Sequence, residues 1–230
     1  MFATEQRDTV TAPETDTPGI SADEALRRLI DGNRRFRLGE PRFPTIQKDI
    51  LVHLAEGQQP FATVLGCSDS RVPPELIFDV GLGALFVVRV AGNVVSPEVR
   101  GSMQYAAVHL HTPLFVVLGH DGCGAVQAAL DATLHGVRQP SRIQTLVEDI
   151  VPGLPAVDPQ ASPSLQLARA VEANVRWSMR QILETPEAKV RLAEGRMKLV
   201  GGIFDIASGA VRFLPGDGHE SPVGAGNARP

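Results

Sequence analysis

Three short apolar runs, rich in β-branched residues, constrain the fold of this chain more than any other feature. They span residues 61–66, 84–91 and 114–119, and each has the length of a strand rather than of a helix. Strands that are apolar on both faces are typical of parallel sheets, which helices cover on each side. Helix-compatible stretches occur at 96–111 and 122–135. This alternation predicts an α/β fold with a mostly parallel central β-sheet flanked by helices.

Further elements are predicted on either side of this core. Ser21 followed by Glu24 forms a capping-box pattern, and apolar residues at helical spacing continue to Phe36, which predicts an N-terminal helical arm. An amphipathic helix is predicted over 163–184, with a second short helix running to Gly195. Residues 197–213 contain a Ser-Gly pair that is typical of the turn in a C-terminal β-hairpin.

Length and composition set the domain organisation. The chain has 230 residues and a hydrophobic fraction of 43%, which is sufficient for one domain with a sizeable core or at most two small ones. Residues 1–20 are rich in threonine, proline and acids, so we predict a disordered N-terminal tail. Residues 215–230 are rich in glycine and proline and are predicted to form a flexible tail. A single domain is therefore predicted over residues 21–214.

Charge and hydropathy argue against several classes of partner. The formal net charge is −4, whereas nucleic-acid binding requires a basic face and anionic membranes attract polybasic segments. The chain has no apolar run of the ~18 residues that a transmembrane helix needs, and its N-terminus lacks the apolar segment of a secretory signal. Only two cysteines, Cys67 and Cys123, are present. This is unlike a secreted disulfide framework, so we expect a cytoplasmic protein.

Metal-competent side chains follow two of the predicted strands. Cys67, Asp69 and Arg71 come directly after the first strand, and strand alternation would place all three on one face. His120 and Cys123 lie where the third strand ends and a helix begins. Because ligands collect at the carboxyl ends of strands in open α/β sheets, we expect the two motifs to meet in space.

Two thiolates, one imidazole and one carboxylate form a donor set that suits tetrahedral Zn²⁺, although the spacing is not that of a zinc finger. Asp69 could be a fourth ligand, or it could pair with Arg71 and leave a coordination position to water. The second arrangement gives a less negative site, which makes hydroxide available near neutral pH. The alternative interpretation is structural: buried cysteines, a core histidine and a strand-end salt bridge.

Six segments resemble the β-class carbonic anhydrases, and the resemblance covers roughly residues 23–214. The segments are GNRRFRLG (32–39), CSDSRVPPELIFD (67–79), LFVVRVAGN (85–93), GSMQYAAVHL (101–110), VVLGHDGCGAV (116–126) and GGIFDIASGAVRFL (201–214). The resemblance implies a zinc enzyme that interconverts carbon dioxide and bicarbonate, by attack of zinc-bound hydroxide. It also implies an assembly built from homodimers, or from dimers of dimers.

The resemblance further implies roles for individual residues. Cys67, His120 and Cys123 match the permanent zinc ligands. Asp69 and Arg71 match a catalytic dyad in which the carboxylate either binds zinc or positions the hydroxide. Three residues match a substrate pocket to which the neighbouring subunit contributes: Gln58, Phe86 and Tyr105. For Phe86, a core position in a strand is an equally good interpretation. Gly92 and Asn93 match a turn that packs near the site.

Other functions remain open from the sequence. The same ligands could serve hydrolysis of a CO₂ analogue such as carbonyl sulfide or carbon disulfide. A non-catalytic zinc protein with four protein ligands is a second alternative, although such a closed site has no need of Arg71. A cysteine-based phosphatase is excluded, because Cys67 and Arg71 lie only four positions apart with no glycine-rich phosphate loop between them.

Overall fold

A five-stranded sheet lies at the centre of the computed structural model, which describes residues 19–42, 48–156 and 158–215. The strands, in chain order, are β1 (Ala62–Gly66), β2 (Leu85–Arg89), β3 (Leu114–His120), β4 (Lys198–Phe204) and β5 (Val211–Phe213). Their order in the sheet is β2-β1-β3-β4-β5, with β5 antiparallel to β4 and every other pairing parallel. Every residue of β1 and β3 is buried, which confirms the prediction of two-sided burial for these two strands. The same prediction is wrong for β2, which lies at the edge of the sheet and is only partly buried after Leu85.

Eight helices surround the sheet within the described ranges. They are α1 (Ala22–Leu38), α2 (Lys48–Glu56), α3 (Pro74–Ile77), α4 (Pro97–Val108), α5 (Gly124–His135), α6 (Ser141–Ile150), α7 (Pro163–Leu183) and α8 (Pro186–Ala193). Five of them lie where helices were predicted, whereas α2, α3 and α6 were not predicted. The α/β class, the mostly parallel sheet and the C-terminal hairpin are confirmed.

The N-terminal helix packs on its own chain. The Ser21 hydroxyl accepts a hydrogen bond from the Glu24 backbone N–H, as the capping pattern predicted, and Gly39 ends the helix at a φ of 69°. Asn33 is buried and donates to the carbonyls of Ile77 and Gly209. Its side-chain oxygen also accepts from a backbone N–H of β5. Helix α1 is thereby joined to α3 and to the hairpin.

Helix α7 covers β3 and β4 at close range. A Cβ on Gly119 would lie 2.6 Å from a Val175 methyl, and one on Gly201 would lie 2.8 Å from the Met179 sulfur. Such distances are too short for a real side chain, so both strands require glycine where the helix crosses them. This contact fixes α7 beside the last residues of β3, where the metal-competent side chains lie.

The predicted tails fall largely outside the described residues, at positions 1–18 and 216–230. The proposed boundaries of the domain at 21 and 214 therefore stay predictions. Among the helices that the structure describes, none combines the length and the apolar character needed to cross a bilayer.

Candidate metal centre

The sheet brings the two cysteine motifs to the same edge. Cys67 follows the last residue of β1, His120 is the last residue of β3, and Cys123 is the N-cap of α5. Strands β1 and β3 are parallel neighbours, with Gly66 opposite Leu118, so their carboxyl ends meet. The Cys67 and Cys123 sulfurs lie 4.0 Å apart although 56 positions separate them. The expected meeting of the motifs is confirmed.

The geometry of this cluster fits a tetrahedral metal ion. The donor atoms of Cys67, His120 and Cys123 all lie within 4.8 Å of one another, and all three residues are buried. Zinc–sulfur bonds of about 2.3 Å at tetrahedral angles separate two sulfurs by about 3.8 Å, close to the distance found here. Both cysteines are free thiols. The donor set therefore fits Zn²⁺ in both chemistry and spacing.

His120 presents one particular nitrogen to the cluster. Its Nδ1 lies 2.9 Å from the backbone oxygen of Asp121, which favours the tautomer that carries the proton on Nδ1. Its Nε2 is buried and has no hydrogen-bond partner among the described residues. A buried polar atom without a partner is costly, and a metal bond to Nε2 would satisfy it.

The contact between the two thiols shifts their pKa values in opposite directions. Cys123 hydrogen-bonds to Cys67, which lowers the pKa of Cys67, and the same contact raises the pKa of Cys123. Burial lowers the pKa of His120, but the contact with Cys67, its charge and the hydrogen bond to the Asp121 carbonyl outweigh burial, so the net shift is upward. The cluster thus attracts positive charge, and a divalent cation would satisfy both thiolates.

Asp69 is held by Arg71 beside the cluster. Arg71 Nε donates to Asp69 Oδ1 at 2.9 Å, and a terminal guanidinium nitrogen donates to Oδ2 at 2.7 Å. These hydrogen bonds lower the pKa of Asp69, against the opposing effect of burial. Asp69 Oδ2 lies 3.9 Å from His120 Nε2. In this structure the carboxylate is therefore the partner of Arg71 and lies next to the Cys–His–Cys cluster.

The route by which Asp69 and Arg71 meet differs from the prediction. Strand β1 ends at Gly66, so strand alternation does not continue through Cys67 to Arg71. Instead the backbone N–H of Arg71 donates to Asp69 Oδ1 at 3.0 Å, and the N–H of Val72 donates to the Asp69 carbonyl. This is an Asx-type turn, in which a short acidic side chain organises its own backbone. The turn closes the Asp69–Arg71 pair.

Arg89, the last residue of β2, holds the backbone of the first motif. Its Nε donates to the Cys67 carbonyl at 2.9 Å, and a terminal nitrogen donates to the Asp69 carbonyl at 2.6 Å. Charged donors make strong hydrogen bonds, so this contact fixes the segment between the cysteine and the aspartate. No local pattern in the sequence predicts it, because it joins residues about 20 positions apart.

A buried polar network supports Cys67 from the other side. The backbone N–H of Gly92 lies 3.4 Å from the Cys67 sulfur, and Gly92 adopts a φ of 69° that suits glycine. Asn174 on α7 donates to the Gly92 carbonyl at 2.8 Å. Ser178, one turn further on α7, donates to the Asn93 carbonyl at 2.9 Å. The turn at Gly92 and Asn93 does pack at the site, whereas the roles of Asn174 and Ser178 were not predicted.

The three predicted substrate-binding residues lie away from the cluster of their own chain. Phe86 pairs with Thr63 in the sheet, four residues before Cys67, which is roughly 13 Å along the strand. Tyr105 on α4 is 47% exposed, and its ring centroid lies 6.1 Å from that of Phe86. Gln58 is exposed in the segment that precedes β1. The structure therefore brings the metal-competent residues together but leaves these three apart from them.

Comparisons with known proteins agree on one family. A family model described as carbonic anhydrase matches residues 62–211, a range that includes the whole Cys–His–Cys cluster. A protein named carbonic anhydrase from Mycolicibacterium smegmatis is 38% identical over 196 residues, covering 85% of this chain and 95% of that protein. A protein named carbonic anhydrase 2 from Mycobacterium tuberculosis is 46% identical over 137 residues. That match covers 60% of this chain and 66% of the relative, slightly under two thirds of its length.

A solved structure shows the same architecture. It is one of two tetrameric beta-carbonic anhydrases from the filamentous ascomycete Sordaria macrospora, and it aligns with a TM-score of 0.65 at 27% sequence identity. The alignment covers 73% of this chain and 87% of that one. Sheet and flanking helices are therefore shared over most of both molecules.

Proposed function

The chain belongs to the β-class carbonic anhydrases, and we propose that it catalyses the reversible hydration of carbon dioxide to bicarbonate and a proton. We further propose that Cys67, His120 and Cys123 hold a Zn²⁺ ion. The observation that supports this most directly is the buried Cys–His–Cys cluster, in which all donor atoms lie within 4.8 Å of one another and His120 Nε2 has no hydrogen-bond partner in the part of the chain that the structure describes.

The protein's own groups set the charge of the proposed site. When bound, Zn²⁺ acts as a Lewis acid that lowers the pKa of a coordinated water to about 7. Two thiolates and a neutral imidazole balance the charge of the ion without help from Asp69. The Asp121 carbonyl keeps the His120 proton on Nδ1, and Gly92 donates to the Cys67 sulfur.

Asp69 and Arg71 are proposed to act as a pair. While Arg71 binds both carboxylate oxygens, Asp69 is kept off the metal, and three protein ligands leave one position open. An ionised Asp69 beside the cluster can accept a hydrogen bond from a reacting water and orient it. Arg89 steadies this arrangement by binding the backbone on both sides of Ser68.

Gln58, Phe86 and Tyr105 are proposed to bind substrate in an oligomer, at a site shared between subunits. Their distance from the cluster of their own chain supports this, as does the exposure of Tyr105. The tetramer described for the Sordaria macrospora structure supports an assembly of at least two chains. We propose a homodimer or a dimer of dimers for this chain.

A cytoplasmic location remains part of the proposal. Two free thiols 4.0 Å apart would be prone to oxidation in an oxidising compartment, whereas a reducing one keeps both available for metal. Fractionation of cells that carry the tagged chain tests it, and recovery from an extracytoplasmic fraction would contradict it.

The proposed function is tested by measuring metal content and CO₂ hydration on the same sample. We expect one zinc per chain in the wild type, with stopped-flow hydration activity that a zinc chelator abolishes. Cys123→Ala and His120→Ala should both lose most of the zinc, because only two protein ligands would remain. His135→Ala is the matched control, since His135 is exposed at the end of α5. It should keep both metal and rate.

Two outcomes would contradict the proposal. Full zinc occupancy in Cys123→Ala would remove the ligand assignment. A zinc-loaded wild type that hydrolyses carbonyl sulfide or carbon disulfide but does not hydrate CO₂ would replace the substrate while leaving the metal site intact.

A further inference from the structure

A cavity of about 60 Å³ lies on the far side of the molecule from the metal-competent cluster. It opens to solvent and is lined by α4, the start of β3, the end of α7, α8 and the residue before β4. Its apolar wall is formed by Met103, Phe115, Ile182 and Met197. Phe115 precedes His120 by five residues in β3, so roughly 16 Å of strand separates the cavity from the cluster.

Arg191 on α8 lines this cavity, and no described residue forms an ion pair with it, although the charge of Glu194 acts on it at longer range. The residue is only 7% exposed, and its Nε has no hydrogen-bond partner in the described part of the chain. Burial lowers its pKa, yet a guanidinium stays protonated in proteins. A buried charge without a partner is strongly unfavourable, so a site of this kind calls for an anion.

The neighbouring carboxylates are already engaged elsewhere. Glu194, which follows α8, pairs with Arg196. Glu187, one turn before Arg191, accepts a hydrogen bond from Gln104 at 2.9 Å. Arg100 on α4 is exposed and also lines the cavity. A terminal nitrogen of its guanidinium donates to the side-chain oxygen of Gln181 at 3.4 Å. Two arginines and one glutamate leave the cavity with one net positive charge.

The volume of the cavity and the residues that line it restrict which ligands can bind there. A water needs about 10–15 Å³ by the same measure, so the cavity has room for roughly four to six atoms of that size. The charge matches one carboxylate, which can bind a guanidinium through both oxygens. The methionine, isoleucine and phenylalanine side chains favour an alkyl group on the remainder of the ligand.

We propose that this cavity binds a small aliphatic monocarboxylate of acetate to butyrate size, with its carboxylate on Arg191 and its alkyl group against Met103 and Met197. The site is separate from the proposed zinc centre and does not depend on the hydration reaction.

The methionines provide a direct test. Met103 and Met197 line the cavity, whereas Met179 on α7 does not. The full chain, zinc-loaded and carrying ¹³C-methyl methionine, is titrated with propionate and followed by NMR. We expect saturable shifts of the Met103 and Met197 methyl signals and none of Met179. Propionamide, a neutral isostere, should bind at least about tenfold more weakly, because it cannot form the charge-assisted pair.

Two variants complete the experiment. Arg191→Met should raise the propionate dissociation constant by about tenfold or more and should raise the melting temperature of the ligand-free protein, since it removes an unpaired buried charge. Arg138→Met is the matched control, because Arg138 is exposed between α5 and α6 and does not line the cavity. It should change neither quantity.

Each alternative result overturns the proposal. Absence of a saturable shift at millimolar propionate excludes the site, including the case in which another subunit already supplies the carboxylate. Equal affinity for propionate and propionamide excludes recognition by charge. Equal affinity for propionate and bicarbonate excludes the apolar part of the site. The comparison of ligands on the wild type decides the matter even if Arg191→Met does not fold.

Discussion

Arg71 touches Asp69 through three separate hydrogen bonds, two from its guanidinium and one from its backbone. Truncating the Arg71 side chain removes the two guanidinium contacts and leaves the backbone one. In Arg71→Ala the carboxylate is free to bind the proposed zinc and to occupy the open position. We expect full zinc content and a CO₂ hydration rate reduced about 100-fold, as is typical when a reacting group is misplaced by about an ångström.

The comparison with Arg71→Lys separates charge from shape. An ammonium lacks the planar fork that binds both carboxylate oxygens, so this variant should recover little of the lost rate. Both variants and the wild type are measured between about pH 6.5 and 9, where the wild-type rate should rise as coordinated water loses its proton. Arg142→Ala, an exposed arginine on α6, is the control. A wild-type rate in zinc-loaded Arg71→Ala across that window would exclude the dyad from the mechanism.

Asn174 does not contact the proposed ligands but supports Cys67 indirectly, by donating a hydrogen bond to the Gly92 carbonyl. Asn174→Ala leaves that buried carbonyl without its donor, which should lower the free energy of unfolding by about 1–3 kcal/mol. The Gly92 N–H that faces the Cys67 sulfur should also lose its fixed position, so zinc should be lost at a lower chelator concentration. Urea unfolding and chelator titration measure the two effects.

Gln181→Ala, two turns further along α7, is the control for Asn174 and should change stability by less than about 0.5 kcal/mol. Unchanged zinc retention in a destabilised Asn174→Ala would show that the network holds the fold but not the ligand.

Residue types and strand ends were sufficient to identify the proposed ligands. Cys67, His120 and Cys123 carry chemistry that few other side chains offer. Cys67 and His120 directly follow apolar runs, and Cys123 lies three residues after His120. Arg89 and Asn174 could not be identified in this way. Their functional partners are backbone atoms 20 or more positions away, and a hydrogen bond to backbone leaves no pattern in the sequence.

At the scale of elements, the sequence predicts the buried strands well, whereas it does not predict three of the peripheral helices. Strands β1 and β3 are buried along their whole length, so their sequences are uniformly apolar. Helix α3 has four residues, too few for helical periodicity to be recognised. Helix α6 buries Val147 and Ile150 one turn apart, so its apolar spacing is visible in the sequence, although the helix was not predicted.

Glu172 joins α7 to the hairpin and offers a test of pH dependence. Its two carboxylate oxygens accept hydrogen bonds from Arg176 on the same helix and from Arg212 on β5. Burial alone would raise the pKa of Glu172, but these contacts outweigh it, so the pKa is lowered. A carboxylate with a depressed pKa stabilises the native state above its unfolded pKa of about 4.3 and ceases to do so as pH falls through the native value.

Glu172→Gln should therefore lower the free energy of unfolding by about 0.5 kcal/mol at pH 7, a small effect because the pair is partly exposed. The difference from wild type should shrink as pH falls from about 4.3 through the lowered native pKa, so it should be smaller at about pH 3 than at pH 7. Urea unfolding at both pH values measures it. Glu184→Gln at the C-cap of α7 is the control, since Glu184 makes no ion pair with any described residue. A constant difference at both pH values would exclude the charge as its source.

At the scale of the whole molecule, Phe86 and Tyr105, which are proposed to bind substrate, lie apart from the metal-competent cluster of their own chain. The cluster is assembled by β1, β3 and α5, whereas Phe86 and Tyr105 lie near the opposite ends of the strands. Strand β2 is an edge of the sheet, and α4 beside it exposes Tyr105 and Val108. A sequence shows which residues are apolar but not which of them a second copy covers, so the site shared between subunits is a proposal that the resemblance and the exposure of Tyr105 support.

We therefore predict a homodimer, or a dimer of dimers, at micromolar concentration. Stable interfaces bury about 1,200–2,000 Å² in total and commonly centre on an aromatic residue, which Tyr105 would supply. Tyr105→Arg places a charge in that surface and should shift the population toward monomer by at least about tenfold in dissociation constant. Val137→Arg is the control, because Val137 is similarly exposed but follows α5. Light scattering coupled to size exclusion measures both variants. A wild type that is monomeric at micromolar concentration, yet hydrates CO₂ at full rate, would mean that each chain completes its site alone.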